Sequence, residues 1–232
     1  MADTDAKKTL ISLLQGVEKF NAEVFPQNRE LFADLAAQQS PDTLFIACAD
    51  SRVNPSMITQ TQPGDLFVLR NIGNIVPAYG EMLGGVSSAI EYAVLALGVS
   101  HIIVCGHSDC GAMKALLDPD PSKLASMPTV ASWLRNAEAA RAVAGALQAT
   151  DAGPQSVRSL AEQNVLLQIA HLRTHPAVAA AMARNTLILQ GWFYDIASGE
   201  VVILDETTRS SIHVDQAIAR LTNEVDAKTE QV

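Results

Sequence analysis

His101-Ile-Ile-Val-Cys105 runs straight into Gly106-His-Ser-Asp-Cys-Gly111. A short, unbroken apolar run closed by a polar, glycine-bearing turn is the pattern of a strand buried on both faces. Helical spacing resumes at once, through Met113 and Leu117. Outward from this stretch the same grammar repeats. Thr43-Leu-Phe-Ile-Ala-Cys48 ends in Ala49-Asp-Ser-Arg52, Asp65-Leu-Phe-Val-Leu-Arg70 follows Pro63-Gly64, and Gly85 to Leu97 has helical spacing. Apolar strands alternating with helices predict an α/β chain, a mostly parallel central sheet flanked by helices. Such sheets bind ligands beyond the carboxyl ends of their strands. The polar turns after Cys48 and Cys105 stand at two such ends.

The flanks complete the outline. Leu10, Leu13, Leu14, Val17 and Phe20 recur at helical spacing, and a second helix is expected over Arg29 to Ala37, after Pro26. Residues 1–38 read as an N-terminal helical arm, able to lie on its own or on another subunit. Residues 39–232 read as one domain without a clean linker. Asp118-Pro-Asp-Pro-Ser122 reads as a loop, followed by helices over Val130 to Leu147 and Val157 to Leu172; Thr150-Asp-Ala-Gly-Pro154 between them is the least ordered-looking segment. Leu187 to Tyr194 and Glu200 to Leu204 read as a C-terminal strand pair joined through Ala197-Ser-Gly199, and a last helix covers Val214 to Leu221.

Composition excludes several classes. At 232 residues with 48% hydrophobic content, the chain can bury one sizeable core. Sixteen Lys and Arg against 25 Asp and Glu give a net charge of −9. That argues against nucleic acid, which needs a basic face, and against anionic membranes. A small anion needs only a local positive site. The opening residues lack the apolar core of a signal peptide, so a cytoplasmic location is expected. Three cysteines, Cys48, Cys105 and Cys110, are too few for a disulfide framework in a chain this long.

His107-x-x-Cys110 is the sharpest chemical feature. Zinc accepts imidazole nitrogen and thiolate sulfur, and a third ligand must come from elsewhere. Cys48 is the natural candidate, at the end of another strand; Cys105 competes, but its flanks Ile102, Ile103 and Val104 read it as core. Two Cys and one His with an open fourth position is a catalytic zinc pattern rather than a structural one. Asp50 and Arg52 are close enough to pair. Beside a metal, a carboxylate kept ionised by an arginine could orient a bound water.

Taken together, Cys48-Ala-Asp-Ser-Arg-Val53, Pro63-Gly-Asp65, Arg70-Asn-Ile-Gly-Asn74, Glu91-Tyr92, Gly106-His-Ser-Asp-Cys-Gly111 and Gly191-Trp-Phe-Tyr194 resemble a β-class carbonic anhydrase. The resemblance implies reversible hydration of carbon dioxide to bicarbonate by a zinc-bound hydroxide, one Zn²⁺ per chain. It implies Cys48, His107 and Cys110 as zinc ligands and Asp50 with Arg52 as the catalytic dyad. It also implies Gln39 beside bicarbonate, Phe67, Ile72 and Tyr92 lining an apolar substrate pocket, and the Gly111 N–H donating to a substrate oxygen. A homodimer or larger homo-oligomer is implied as the assembly.

The pattern departs from the family at two places. Members with an allosteric bicarbonate site resemble one another in a Trp three residues before the first Cys; here Phe45 lacks the indole donor, so such regulation is not expected, although Arg70 and Tyr194 are present. Plant members are similar in carrying a His four residues after the pocket Tyr; here it is Ala96, so the proton leaves another way. His101, His171, His175 and His213 have no ligand-like neighbours and read as structural or exposed. The alternatives are a same-fold hydrolase of carbon disulfide or carbonyl sulfide, and a non-catalytic bicarbonate-binding scaffold. The intact ligands and dyad argue against the scaffold.

Overall fold

The computed structural model describes residues 2–81, 84–148 and 156–229, in two compact units, Met1–Ser40 and Pro41–Val232. The segment Thr150 to Pro154 lies outside the described residues. The first unit is helical: α1 (Ala2–Lys19), a π-helical turn (Phe20–Val24), α2 (Phe25–Gln27) and α3 (Arg29–Ala37). Pro26 sits in the first turn of α2, where its missing N–H costs nothing. Phe25 and Phe32 stack at 5.3 Å, and Phe20 meets both rings edge-on. Leu10, Leu14 and Val17 on α1 are exposed.

The second unit runs β1 (Thr43–Cys48), α4 (Pro55–Thr59), β2 (Leu66–Asn71), a 3-10 turn (Ile72–Asn74), α5 (Gly85–Leu95), β3 (His101–His107), α6 (Gly111–Leu117), α7 (Pro121–Ser126), α8 (Pro128–Leu134), a second 3-10 turn (Arg135–Ala137) and α9 (Glu138–Gln148). It continues with α10 (Val157–Leu172), α11 (Pro176–Ala183), β4 (Ile188–Tyr194), β5 (Val201–Leu204), β6 (Ser211–His213) and α12 (Val214–Thr229). The sheet order is β2-β1-β3-β4-β5-β6. The first four strands are parallel neighbours, and β5 and β6 return antiparallel. This is the expected mostly parallel sheet, with one strand more than the predicted C-terminal pair. β6 is three residues long, too short to show alternation.

The strand residues alternate between two cores, as the period of two requires. Leu44, Ile46, Ile102 and Val104 join the large core with α10 residues Leu160, Val165, Ile169 and Leu172. Phe45, Ala47, Ile103 and Cys105 face the other way, with Val53, Ile58 and Trp192. Helix α10 seats closely because two strand residues lack side chains. A Cβ on Gly106 would meet Val165 Cγ2 at 2.7 Å, and one on Gly191 would meet Val165 Cγ1 at 2.8 Å. Val165 fills the hollow that the neighbouring glycines leave.

Two helical expectations need correction. The predicted continuous helix Val130 to Leu147 tightens at Arg135–Ala137 into the 3-10 turn between α8 and α9, with Leu134, Arg135 and Glu138 still right-handed helical. There Asn136 Nδ2 donates to Trp133 O at 2.8 Å, the local competition that makes Asn a poor helix interior. The Asp-Pro-Asp-Pro stretch read as a loop contains the start of α7. Asp120 caps it, accepting from the N–H groups of Ser122 and Lys123, with Pro121 in the first turn.

Candidate metal centre

β1 and β3 lie side by side and end together, so the turns that follow them meet. Cys48 is the last residue of β1, His107 the last of β3, and Cys110 the N-cap of α6. Their potential ligand atoms all lie within 4.8 Å of one another, and all three residues are buried. Cys105, the competitor, is fully buried in the second core, and burial pushes its thiol up to about 12. The structure therefore gathers Cys48, His107 and Cys110 and leaves Cys105 out.

The donor chemistry fits a metal. His107 Nδ1 donates to the Ser108 carbonyl at 2.8 Å, which leaves the Nε2 lone pair available. That Nε2 is buried without a hydrogen-bond partner, an arrangement that costs stability unless a ligand takes it up. The Cys110 thiol beside Cys48, with the N–H groups of Gly73 and Asp50, outweighs burial and lowers the Cys48 thiol well below its usual range. Cys110 moves up, because the hydrogen bond it shares with Cys48, and then burial, hold the proton on it. A thiolate, a second thiol and an imidazole with a free lone pair form a set that a zinc-like ion would complete.

Beside the cluster, Arg52 grips Asp50. Arg52 Nε donates to Oδ1 at 2.9 Å and Nη2 to Oδ2 at 2.8 Å, a bidentate fork. The Arg52 backbone N–H adds a third bond to Oδ1 at 3.0 Å. These bonds hold the Asp50 carboxyl well below the usual carboxylate range. Arg52 is raised by the same partners. Arg70 steadies the turn from below, donating to the Cys48 carbonyl at 3.0 Å and the Asp50 carbonyl at 2.6 Å.

Several contributors escaped the sequence reading. Asp109 sits in the turn between the two β3-side candidates with φ +60. It accepts from Arg52 Nη1 at 3.0 Å and pairs with Lys114. The aspartate in the His-Ser-Asp-Cys turn was visible, but its left-handed backbone was not. Gly73 N–H donates to Cys48 Sγ at 3.4 Å, and Trp133 Nε1 donates to the Ile72 carbonyl at 2.8 Å.

Of the pocket residues, Phe67 is half-buried and its ring stands 6.0 Å from that of Tyr92. Ile72 and Tyr92 are exposed. Gly111 opens α6, where first-turn N–H groups have no intrahelical acceptor. Gln39 falls in the N-terminal unit, exposed and past the end of α3. Ala96 is exposed just beyond α5, its N–H bonded to the Tyr92 carbonyl. Phe45 is fully buried, edge-on to Trp192 at 5.7 Å. The remaining histidines hold structure: His101 meets Ser100 Oγ, His171 the Val76 carbonyl, His175 the Pro77 carbonyl and His213 the Glu200 carboxylate.

A parallel sheet whose strand ends gather two cysteines and a histidine, next to an arginine-locked carboxylate, defines an α/β protein with a metal-type centre. Comparison with known proteins narrows the class. The family model for carbonic anhydrase matches residues 43–201. A carbonic anhydrase of Pseudomonas aeruginosa is 49% identical over 197 residues, 85% of this chain and 88% of the relative. Carbonic anhydrase 1 of Escherichia coli O157:H7 is 48% identical over 86% of this chain and 90% of its own length. The solved β-carbonic anhydrase CcaA superimposes with a TM-score of 0.83 at 41% identity, covering 88% of this chain and 99% of that one. One of two β-carbonic anhydrases of Sordaria macrospora, described as tetrameric, gives a TM-score of 0.74 at 32% identity, covering 85% and 97%. The chain belongs to the carbonic anhydrase family, in its β class.

Proposed function

We infer that this chain catalyses the reversible hydration of carbon dioxide to bicarbonate and a proton, with one Zn²⁺ held by Cys48, His107 and Cys110. The observation that carries the reading is the buried Cys–His–Cys group with its partnerless His107 Nε2, set beside the Asp50–Arg52 fork. Zinc bound there supplies Lewis acidity, which makes water a nucleophile near neutral pH.

The chain's own groups do the rest. Asp50 stays ionised, because Arg52 holds both its oxygens. It acts as a fixed acceptor that orients the attacking water and does not itself carry the proton away. Phe67, Ile72 and Tyr92 offer apolar surface to a substrate with no net dipole. The Gly111 N–H donates to the oxygen on which charge develops, as an oxyanion donor does. Gln39 is assigned to bicarbonate on the resemblance of its segment. Ala96 can neither take nor give a proton, so protons pass through water to buffer.

Residues 39–232 are assigned as the catalytic domain and 1–38 as an arm. A homodimer or larger homo-oligomer is supported by the exposed Ile72, Tyr92 and Leu95 and by the tetrameric Sordaria proteins. Among the described residues, no helix is long and apolar enough to cross a membrane. Three free cysteines, two of them needed reduced at the centre, support the cytoplasm. The test is zinc content together with stopped-flow hydration of carbon dioxide. One zinc per chain with rapid hydration is expected; a zinc-loaded protein that binds bicarbonate without turnover would overturn the enzymatic reading.

A further inference from the structure

We propose that Asn164 and Gln168, two buried amides one turn apart on α10, are positioning residues that set the Cys48 ligand by clamping the turn that donates to its sulfur. The proposal rests on the metal reading above and extends it to residues far from the ligands in sequence.

The clamp can be followed atom by atom. Gln168 is fully buried and Asn164 is 1% exposed. Asn164 Nδ2 donates to the Gly73 carbonyl at 3.0 Å. Gln168 Nε2 donates to Asn164 Oδ1 at 2.8 Å. Gln168 Oε1 accepts from the Val76 N–H at 2.9 Å. Both ends of the Gly73–Val76 segment are thus tied to one helix. The far side of the same segment is the Gly73 N–H, which points at Cys48 Sγ.

Gly73 has no room to drift. Its φ is +77, and a Cβ there would stand 3.0 Å from Ala112 Cβ and 3.3 Å from Met113 Cε, on the helix that Cys110 caps. The peptide is wedged between the first ligand, the helix bearing the third, and the two amides. Helix α10 is itself registered on the sheet by Val165 in the Gly106–Gly191 hollow, one residue from Asn164 and next to the strand that ends in His107. Buried amides that satisfied only themselves could sit anywhere along α10. These two spend all three of their bonds on one another and on the turn that reaches the sulfur.

The bond that reaches a ligand is Gly73 N–H to Cys48 Sγ, and bonds of that shell typically affect metal affinity by about 10–100-fold; the two amides act by holding it. The experiment measures zinc affinity by chelator competition, and the thiolate-to-metal absorption of the cobalt(II) form, in full-length Asn164→Leu and Gln168→Met. Both variants keep a similar side-chain length and lose the hydrogen bonds. Gln168→Glu as a buried neutral acid can still donate to Asn164 Oδ1 and accept from Val76 N–H, so it serves as the conservative variant. Leu160→Ala removes packing from the same helix without touching the clamp.

Asn164→Leu and Gln168→Met are expected to lose about tenfold or more in zinc affinity and to shift the cobalt charge-transfer band. Gln168→Glu is expected to stay near wild type, and Leu160→Ala to lower thermal stability with affinity unchanged. Folded Asn164→Leu and Gln168→Met that bind zinc within about twofold of wild type, or an equal loss in Leu160→Ala, would overturn the clamp alone. A wild-type protein that binds no zinc would overturn the metal reading beneath it.

Discussion

Asp50→Asn isolates what the arginine fork does. Both Asp50 oxygens accept from Arg52, Oδ1 from two donors and Oδ2 from one. An amide in that place must turn its NH₂ group toward a guanidinium N–H whichever way it is flipped, so at least one donor faces a donor. The carboxylate then loses both its charge and its fixed aim. Asp50 lies near the surface, with 17% of its side chain exposed and its partner 44% exposed. Screening by solvent keeps the stability lost with such a pair small. The catalytic loss is much larger, because removing one oriented electrostatic group costs about 10²–10³-fold in turnover. The expected result is zinc content of wild type, a melting temperature within a few degrees, and hydration slowed by two to three orders of magnitude. Stopped-flow rates, metal analysis and thermal melts measure all three. Wild-type-like turnover would refute the dyad; loss of zinc with turnover would show that the residue acts by holding the metal.

Other outcomes follow from the same geometry. Cys48→Ala, His107→Ala and Cys110→Ala are expected to lose zinc while Cys105→Ala keeps it, as metal analysis would show. Cys105, with its thiol pushed up by burial, is expected to resist alkylation in the native protein at pH 8 and to react only on unfolding; rapid native labelling would contradict its place in the core. The Asp50 carboxyl is depressed in the folded state, so the fork's contribution to stability is present above the ordinary carboxylate pKa and lost as pH falls through the lower folded value. The difference in melting temperature between wild type and Asp50→Asn should therefore be flat from about pH 5 to 8, well above the unperturbed carboxylate value, and shrink only in stronger acid. With Ala96 one turn beyond Tyr92, turnover at saturating carbon dioxide should depend steeply on buffer concentration and kcat/KM much less; Ala96→His should raise turnover at low buffer, and a wild type indifferent to low-millimolar buffer would show that another residue shuttles the proton.

The strands were legible because their apolar runs are unbroken and each ends at a polar turn. Thr43 to Cys48 matches β1 at both ends, and the ligand candidates stood at the ends those runs defined. The features that escaped depend on partners remote in sequence. Asn164 and Gln168 look like ordinary polar residues in a helix, and only the fold shows them buried against Gly73 and Val76. Asp109 was quoted within its motif, but its contacts with Arg52 and Lys114 require the turn to be left-handed. The 3-10 turn between α8 and α9 turned on one local competition, at Asn136, within a pattern that is helical throughout.

The strand order carries a consequence for how the protein comes to hold its ion. β2 follows β1 in sequence yet lies at the sheet's outer edge, so β1 must pair with β3 across the whole intervening stretch. Non-local parallel pairing of this kind is slow to form, since loop closure is paid before the contacts reward it. Until it happens, Cys48 is remote from His107 and Cys110, and the three-donor set of the folded protein does not exist. An ion bound through that set cannot be the seed around which the sheet grows; it acts as a lock on a finished fold.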